Sequence, residues 1–431
     1  MTSKNASCVG LIHCCPVENF LDGLHGLDSV GFEGCQTFET ATGTQTMRHQ
    51  NTVYHSLLKA LPRWRFDRLV EAHRGHYRDR RLSFWAQFVA MVYAQLSGAQ
   101  SLRDLVADLG TRGNLFYHLG LQEVRRSTLS DANRDRPAGV FAAAFDLLLP
   151  KLTGGEGSEA RSLVRLIDAT SLPLNETLCA WARFSTGYAA AKLHLVYDPQ
   201  AACPTYFSIT PARVNDVVEA KKMPILPTAT YVFDKGYYDF AWWASLIKSG
   251  CRFVTRIKEN TPVQLIETRP VIDDSIHSDR LIRLTHRMSS HRKNPLQEDT
   301  LREIAVILDN GTCVRVLTND LIAPASEIAN LYKTRWQIEL FFKWIKQNLR
   351  IKKFLGTTEN AIKLQIIAAL VAFLLIRIAQ QAMLAAGVSL HTITNLIRGH
   401  LLHRKTIQEL LYPPPPKRPP AIPPLLELVH A

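Results

Sequence analysis

The chain has 431 residues, of which 46% are apolar, and it carries a formal net charge of +13. This composition indicates a globular protein of two or three domains, and the positive charge predicts an acidic polymer as partner, nucleic acid before a membrane surface. Eight cysteines without a CxxC pair exclude the usual zinc spacing, and no signal peptide is evident. We therefore expect a reduced, cytoplasmic protein.

Residues 1–46 differ in amino-acid composition from the rest of the chain. They contain four of the eight cysteines, one Lys and no Arg, whereas an Arg-rich amphipathic pattern begins at Met47. We interpret residues 1–46 as a disordered tail or a wrongly assigned leader, with natural translation beginning at Met47. N-terminal sequencing of the native protein tests this expectation.

Residues 47–150 follow helical spacing throughout, with a stop signal at Ser97-Gly98 and a capping serine at Ser101. From Arg48 to Arg136 there are fifteen Lys and Arg against eight Asp and Glu. Because exposed arginines on small helical domains commonly neutralise phosphates, we predict a DNA-binding domain here. A helical bundle that is merely soluble is the alternative.

Residues 160–255 change to short strands alternating with helices, which predicts an α/β fold with a mixed sheet. A β-rich insertion is expected at about 256–325, laid on the main sheet, and it contains no Phe, Trp or Tyr. An apolar helix follows at 362–383, expected to pack across the sheet. Its most apolar run, 366–376, is too short to cross a bilayer, so no membrane is expected. Residues 391–431 are predicted to be a C-terminal tail, Pro-rich from residue 413.

One long helix is predicted from about Ser326 to Arg350. At about 100° per residue, its polar residues share one narrow face and its apolar residues the opposite face. The polar set is Tyr332, Arg335, Glu339, Lys343 and Lys346. A carboxylate flanked by cations and a phenol suits a polyanion held beside a metal-binding acid. The alternative is a solvated face with an Arg335–Glu339 ion pair.

Two further acids, Asp168 and Asp234, each follow a predicted short strand. Sites in open α/β sheets are built at strand ends. If Glu339 meets these aspartates, the three carboxylates repel one another and need a divalent cation. Oxygen ligands favour Mg²⁺ or Mn²⁺, and two such ions can activate water or a 3′-OH and stabilise the leaving oxygen.

These motifs give the chain a resemblance to the insertion-sequence transposases that have a DDE catalytic triad and a Tyr-(2)-Arg-(3)-Glu-(6)-Lys signature. All spacings of the signature are present in Tyr332, Arg335, Glu339 and Lys346. The aspartate motifs are Leu166-Ile-Asp168-Ala-Thr-Ser and Phe233-Asp234-Lys-Gly236-Tyr-Tyr-Asp239. The start Met47-Arg-His-Gln-Asn-Thr-Val resembles the small N-terminal domain of many of these enzymes. The resemblance covers about residues 47–390.

The resemblance implies a ribonuclease-H-like catalytic domain at 160–390, with the β-rich insertion before the glutamate helix. It implies Asp168, Asp234 and Glu339 as ligands of two Mg²⁺ or Mn²⁺ ions, and Tyr332, Arg335 and Lys346 as phosphate contacts. It also implies cutting of terminal inverted repeats and joining to target DNA by a homodimer on double-stranded DNA. Arg256 and Lys258 follow a strand and are further candidate DNA contacts; an exposed strand end is their alternative.

One departure concerns the aromatic residue that some relatives place from the insertion onto a flipped base. This insertion has none, so Trp336 or Met288 would have to replace it. Two other functions stay open at this point. One is a structure-dependent nuclease of the same fold without strand transfer, and the other is a DNA-binding repressor or relic without catalysis.

Overall fold

In a computed structural model, the chain combines one mixed β-sheet with helices on both faces and a helical N-terminal part. The structure describes residues 51–74, 81–154, 163–185, 188–285, 293–307, 311–382 and 387–412. The expected leader at 1–46, the Pro-rich tail from 413 and Met288 lie outside these residues. This arrangement confirms the predicted fold class, a mixed sheet flanked by helices with a helical N-terminal region.

Eight helices precede the sheet in the described residues. They are α1 (Val53–Leu58), α2 (Arg63–Arg74), α3 (Phe84–Ser97), α4 (Leu102–Thr111), α5 (Gly113–Phe116), α6 (Arg126–Asp135), α7 (Gly139–Leu148) and α8 (Pro150–Thr153). The predicted signals between α3 and α4 are present. Gly98 ends α3 with a φ of +79°, and the Ser101 hydroxyl accepts the Asp104 N–H at 3.1 Å.

The described strands number ten. They are β1 (Val164–Leu174), β2 (Arg183–Ser185), β3 (Tyr188–Asp198), β4 (Cys203–Pro211), β5 (Thr230–Phe233), β6 (Arg252–Arg256), β7 (Val263–Arg269), β8 (Ile276–Leu284), β9 (Leu301–Ile307) and β10 (Cys313–Thr318). The sheet order is β2-β3-β1-β5-β6-β10-β9-β8-β7, and β4 pairs with β3. β1, β5 and β6 are parallel, and β3 and β10 flank them as antiparallel strands.

Alternating residues of the parallel strands enter two different cores, one on each face of the sheet. Ile167 and Phe233 pack on the face covered by α10 (Phe240–Lys248), which follows the short α9 (Asp216–Ala220). Leu166 and Val232 pack on the other face. The sheet is therefore covered on both sides near the point where its parallel strands end.

The β-rich insertion extends the sheet and does not lie on top of it, which corrects our expectation. β10 pairs with the edge of β6 through Val316 and Arg256, and β9, β8 and β7 continue outward. The strands β9 and β10 form a hairpin in which Ile307 pairs with Cys313, and residues 308–310 between them lie outside the described residues. Backbone hydrogen bonds thus join the insertion to the main sheet.

The predicted long helix is divided into α11 (Ala325–Thr334) and α12 (Trp336–Asn348). Arg335 lies between them with φ −52° and ψ −30°, so the backbone stays close to helical. The bonds from Arg335 N–H to Tyr332 O and from Ile338 N–H to Arg335 O, both 3.2 Å, tighten the chain to three-residue turns here. The apolar stripe of α12 is buried as predicted, through Ile338, Phe341, Phe342 and Ile345.

The apolar helix α13 (Glu359–Gln381) packs mainly among α3, α6 and α7, not across the sheet as expected. Its bounds are close to the predicted 362–383. By length and composition the whole helix could cross a membrane, unlike its run 366–376 alone, but 83% of its most apolar part is buried inside the protein. Such burial is that of a core helix, which needs apolar residues on every side because helices surround it.

Residues 390–411 are folded, although we expected a tail from about residue 391. They form α14 (Leu390–His400) and α15 (Ile407–Leu411), and a capping box at Thr406 begins α15. The N–H groups of Val53 and Tyr54 donate to the carbonyls of His403 and Leu401 at 3.0 and 2.8 Å. The segment after α13 therefore closes onto the first described helix.

Candidate active site

The pairing of β1 with β5 places two aspartates side by side. The register pairs Ile167 with Phe233, so the next residue along each chain is Asp168 or Asp234. Adjacent strands are about 4.8 Å apart. β5 ends here and Asp234 leads into a 3₁₀ turn, Lys235–Tyr237. The register therefore brings together the two acids that the sequence predicted.

Asp168 is not at the end of its strand, which corrects our prediction. β1 continues to Leu174, and Asp168 faces Leu195 of β3 within the antiparallel ladder. What ends at Ile167 is the pairing of β1 with β5. Because β5 ends at Phe233, no parallel strand continues beside Asp168, and its side chain is open to the site.

The helices α11 and α12 bring the signature residues to the aspartates. The Tyr332 hydroxyl donates to Oδ1 of Asp234 at 3.4 Å. The Arg335 guanidinium lies 5.7 Å from the centre of the Tyr332 ring and forms an ion pair with Glu339, Nη1 to Oε1, at 2.6 Å. The four residues thus form a continuous series of contacts, centred on the break between α11 and α12.

Burial raises the pKa of Asp168 to about 6, and the nearby carboxylates of Glu339 and Asp234 contribute to the increase. The Ala169 N–H, which donates to Oδ1 of Asp168 at 2.8 Å, and the Arg335 cation act in the opposite direction. Both acids are therefore close enough to Asp168 to repel its ionised form.

The three acids converge, but their side chains are not gathered as metal ligands. Within the described residues, no group of three His, Cys, Asp or Glu side chains is close enough to hold a metal ion. The Glu339 carboxylate pairs with Arg335 in this structure. Electrostatic repulsion acts over longer distances than coordination, so this observation agrees with the raised pKa of Asp168.

Lys346 reaches the same part of β1 from the last turn of α12. Its Nζ donates to Oγ1 of Thr170 at 2.6 Å. Burial lowers the pKa of Lys346, and the Lys352 cation lowers it further. Thr170 was missed in the sequence, although it lies two residues after Asp168 and so shares its side of the strand. That alternation was the available signal.

The remaining predicted DNA contacts lie around this centre. Arg256 ends β6 and is close enough to Tyr332 to lower the pKa of the phenol, against the larger effect of burial, which raises it. The ammonium of Lys258 lies 5.1 Å from the centre of the Tyr238 ring, and Lys343 is exposed on α12. Trp336 is also well exposed, at 57%.

The donors present fit a hard divalent cation. Asp168, Asp234 and Glu339 offer carboxylate oxygens, the ligands that Mg²⁺ and Mn²⁺ prefer. Burial, with a smaller contribution from the acid neighbours, raises the pKa of Asp168, so positive charge placed among the acids would be favourable. The chemistry of these side chains is therefore compatible with the predicted ions.

Comparison with known proteins gives the family. The sequence model of the family described as "Transposase DDE domain" matches residues 159–375, and that of a domain of unknown function, DUF4372, matches residues 49–122. The putative transposase y4zB of Sinorhizobium fredii is 39% identical over 297 residues, which are 67% of this chain and 80% of that protein. A probable transposase for insertion sequence element IS5377 of Geobacillus stearothermophilus is 26% identical, over 60% of this chain and 68% of the relative.

Among solved structures, the piggyBac transposase in a synaptic complex with hairpin DNA is 12% identical, with a TM-score of 0.41, over 84% of this chain and 80% of that one. The family itself follows from the sequence matches. The matched segment 159–375 is about half of the chain and contains β1 and α12, which carry Asp168 and Glu339, and β5, which directly precedes Asp234. The chain therefore belongs to the DDE transposase family of insertion sequence elements.

Proposed function

We propose that the chain cuts the ends of its insertion sequence and joins the freed 3′-OH to target DNA by two-metal phosphoryl transfer. The observation that carries the proposal is the β1–β5 register, which makes Asp168 and Asp234 neighbours beneath the helix that bears Glu339. Family membership supplies the reaction class, and the cationic surroundings suit a polyanionic substrate.

Asp168, Asp234 and Glu339 would hold two Mg²⁺ or Mn²⁺ ions. When bound, such ions activate the attacking oxygen and stabilise the leaving one. Water attacks first and the released 3′-OH attacks second, so no protein nucleophile is required. With a pKa of about 6, Asp168 is already mostly ionised at neutral pH, and positive charge among the three acids would lower that pKa.

The signature cations would bind the phosphates on either side of the cut. Arg335 pairs with Glu339 in this structure. We propose that Arg335 exchanges this carboxylate for a DNA phosphate, which its planar guanidinium can bind in a bidentate manner. Glu339 is then free to act as a ligand. Tyr332, Lys343, Lys346, Arg256 and Lys258 would contact the same DNA.

The proposed partners are terminal inverted repeats and target DNA, bound by a homodimer in the bacterial cytoplasm. If the reaction includes a flipped base and a hairpin intermediate, Trp336 is the aromatic side chain placed to stack on that base, since it is exposed and adjacent to Arg335.

The test is nicking of a duplex that carries the inverted repeats flanking the gene, with Mg²⁺. We expect Asp234→Asn and Glu339→Gln each to reduce nicking at least about 1,000-fold, because residues that act as one unit cannot replace one another. Glu327→Gln is the matched control, since Glu327 is exposed in the first turn of α11. Wild-type rates in Glu339→Gln would refute the assignment of this residue.

A second measurement separates transposition from simple cleavage. Wild-type protein incubated with cut ends and a supercoiled plasmid should yield products with the 3′-end covalently joined to the plasmid. A nuclease of the same fold would leave only free 3′-ends, and a non-catalytic DNA-binding protein would leave the duplex intact.

A further inference from the structure

A second group of cations lies at the far end of α12, outside the proposed active site. Leu349 ends the helix with extended dihedral angles, and Arg350 follows. The Arg350 N–H donates to Oε1 of the fully buried Gln95 at 2.9 Å, and the Arg350 carbonyl accepts from Gln365 of α13. These bonds fix the backbone of Arg350 between α3 and α13.

The guanidinium of Arg350 lies on the loop between α3 and α4. Its Nη2 would be 2.8 Å from a Cβ at Gly98, so a side chain there would displace the guanidinium. With the Gln100 amide oriented to satisfy both groups, its oxygen accepts from Nη1 and Nη2 at 3.1 and 2.8 Å. A neutral amide, not a carboxylate, therefore holds the guanidinium in place.

Arg398 of α14 reaches the same loop from the other side. It lines a cleft of about 550 Å³ together with Gly98 and Gln100, the two residues that Arg350 touches. Burial lowers the pKa of Arg398, and the Arg350 cation lowers it further. Two guanidinium groups thus face one loop from opposite elements and repel each other.

Two acids line this cleft, Asp104 and Asp108. Asp108 accepts from the Tyr93 hydroxyl at 2.5 Å and pairs with Arg112 at 3.1 Å. Across the residues that the structure describes, no salt bridge involves Arg350 or Arg398. Like charges that share a half-buried place are unfavourable unless an anion lies between them.

We propose that Arg350 and Arg398 bind a phosphate of the DNA backbone at the loop of Gly98 and Gln100, away from the cut. The proposal rests on the proposed function for the identity of the polyanion. From Glu339 to Asn348, α12 rises about 14 Å at 1.5 Å per residue. Arg350 would therefore contact a different phosphate from the one bound by Arg335.

The test is the affinity for inverted-repeat duplex in EDTA, measured by fluorescence anisotropy at several salt concentrations. Arg350→Ala and Arg398→Ala should each weaken binding severalfold and reduce the slope of log K against log salt by up to about 0.9, the value for one phosphate contact. Lys248→Ala is the matched control, because exposed Lys248 lies on α10 at the opposite face of the sheet. Its slope should equal that of the wild type.

Charge reversal distinguishes a phosphate site from a structural role. In Arg398→Glu the new carboxylate can pair with Arg350, so the melting temperature should rise while DNA binding falls more than in Arg398→Ala. Wild-type slopes in both alanine variants, an equal loss in Lys248→Ala, or a lower melting temperature in Arg398→Glu would each overturn the proposal. Because these measurements contain no metal, their outcome is independent of whether the wild type nicks DNA with Mg²⁺.

Discussion

Half-buried and buried carboxylates occur in two parts of the same sheet, and their charges are balanced in different ways. In the insertion, Asp279 receives two hydrogen bonds from Arg302, at 2.9 and 2.6 Å, and fully buried Glu303 lies between Arg280 and Arg315. At the end of the parallel strands, Asp168 has a single backbone donor and a raised pKa.

This contrast distinguishes carboxylates with a structural role from carboxylates with a functional role in this protein. A buried carboxylate with dedicated arginines is complete, and its removal leaves cations without a partner. A carboxylate with a raised pKa among other acids is incomplete, and its charge costs stability until a ligand compensates it. The two groups should therefore respond to neutralisation with opposite signs.

The largest effect on stability is expected at Glu303, the carboxylate that is paired with two arginines. Glu303→Gln leaves the guanidiniums of Arg280 and Arg315 facing an amide, and it should lower the free energy of unfolding by about 3–5 kcal/mol. Urea denaturation measures this change. Glu298→Gln, at an exposed position shortly before β9, is the control and should be near neutral. A neutral Glu303→Gln would remove the basis of the comparison.

The opposite sign is expected at Asp168. Its pKa in the folded protein is about 6 against an ordinary 3.8, so the folded state binds the proton more tightly and stability falls as pH rises between these values. Asp168→Asn removes this cost. Without divalent ions, the variant should be more stable than the wild type by up to about 3 kcal/mol at pH 7, and about equal to it below pH 4.

Urea denaturation in EDTA at both pH values measures the effect of Asp168→Asn. A variant that is destabilised at pH 7, or equally stabilised at both pH values, would show that ionised Asp168 is already compensated inside the protein. The gain in stability should accompany a loss of nicking, which a purely structural carboxylate would not show.

The response to divalent ions sharpens the comparison further. Binding to the folded state stabilises it by about 1.4 kcal/mol when the ion is at ten times its Kd. We expect Mg²⁺ or Mn²⁺ to raise the melting temperature of the wild type but not of Asp234→Asn. Glu298→Gln, in the insertion, should retain the full increase. The absence of any increase in the wild type would mean that the acids bind ions only together with DNA.

Much of the fold was predictable because local patterns set it. Alternating strands, the serine cap of α4 and the apolar stripe of α12 all depend on near neighbours in the chain. The apolar residues before each aspartate were predictable in the same way, but the approach of the two acids depends on the pairing of β1 with β5, which are distant in the chain. The predicted position of α13 was wrong because a helix that is apolar on all sides does not indicate which elements will surround it.

The rest of the candidate site depends on contacts between distant residues. No proline or glycine lies at Arg335, so the sequence did not indicate that the long helix divides there. The pair of Arg350 and Arg398 joins residues far apart in the chain through a loop that belongs to neither. The hydrogen bond from Lys346 to Thr170 is of the same kind, because it requires α12 to lie over β1.

The smallest effect is expected for the hydrogen bond between Lys346 and Thr170. Thr170→Val removes the acceptor of Lys346 with little change of shape, and a hydrogen bond to a charged group contributes about 1.5 kcal/mol. If Thr170 positions Lys346 for DNA, the variant should raise KM for inverted-repeat DNA severalfold and leave kcat nearly unchanged. Thr268→Val, on the exposed strand β7, is the matched control.

In a Lys346→Met background, Thr170→Val should have almost no further effect on KM, because the two residues act through one contact. Additive effects on KM would show that the two residues act independently.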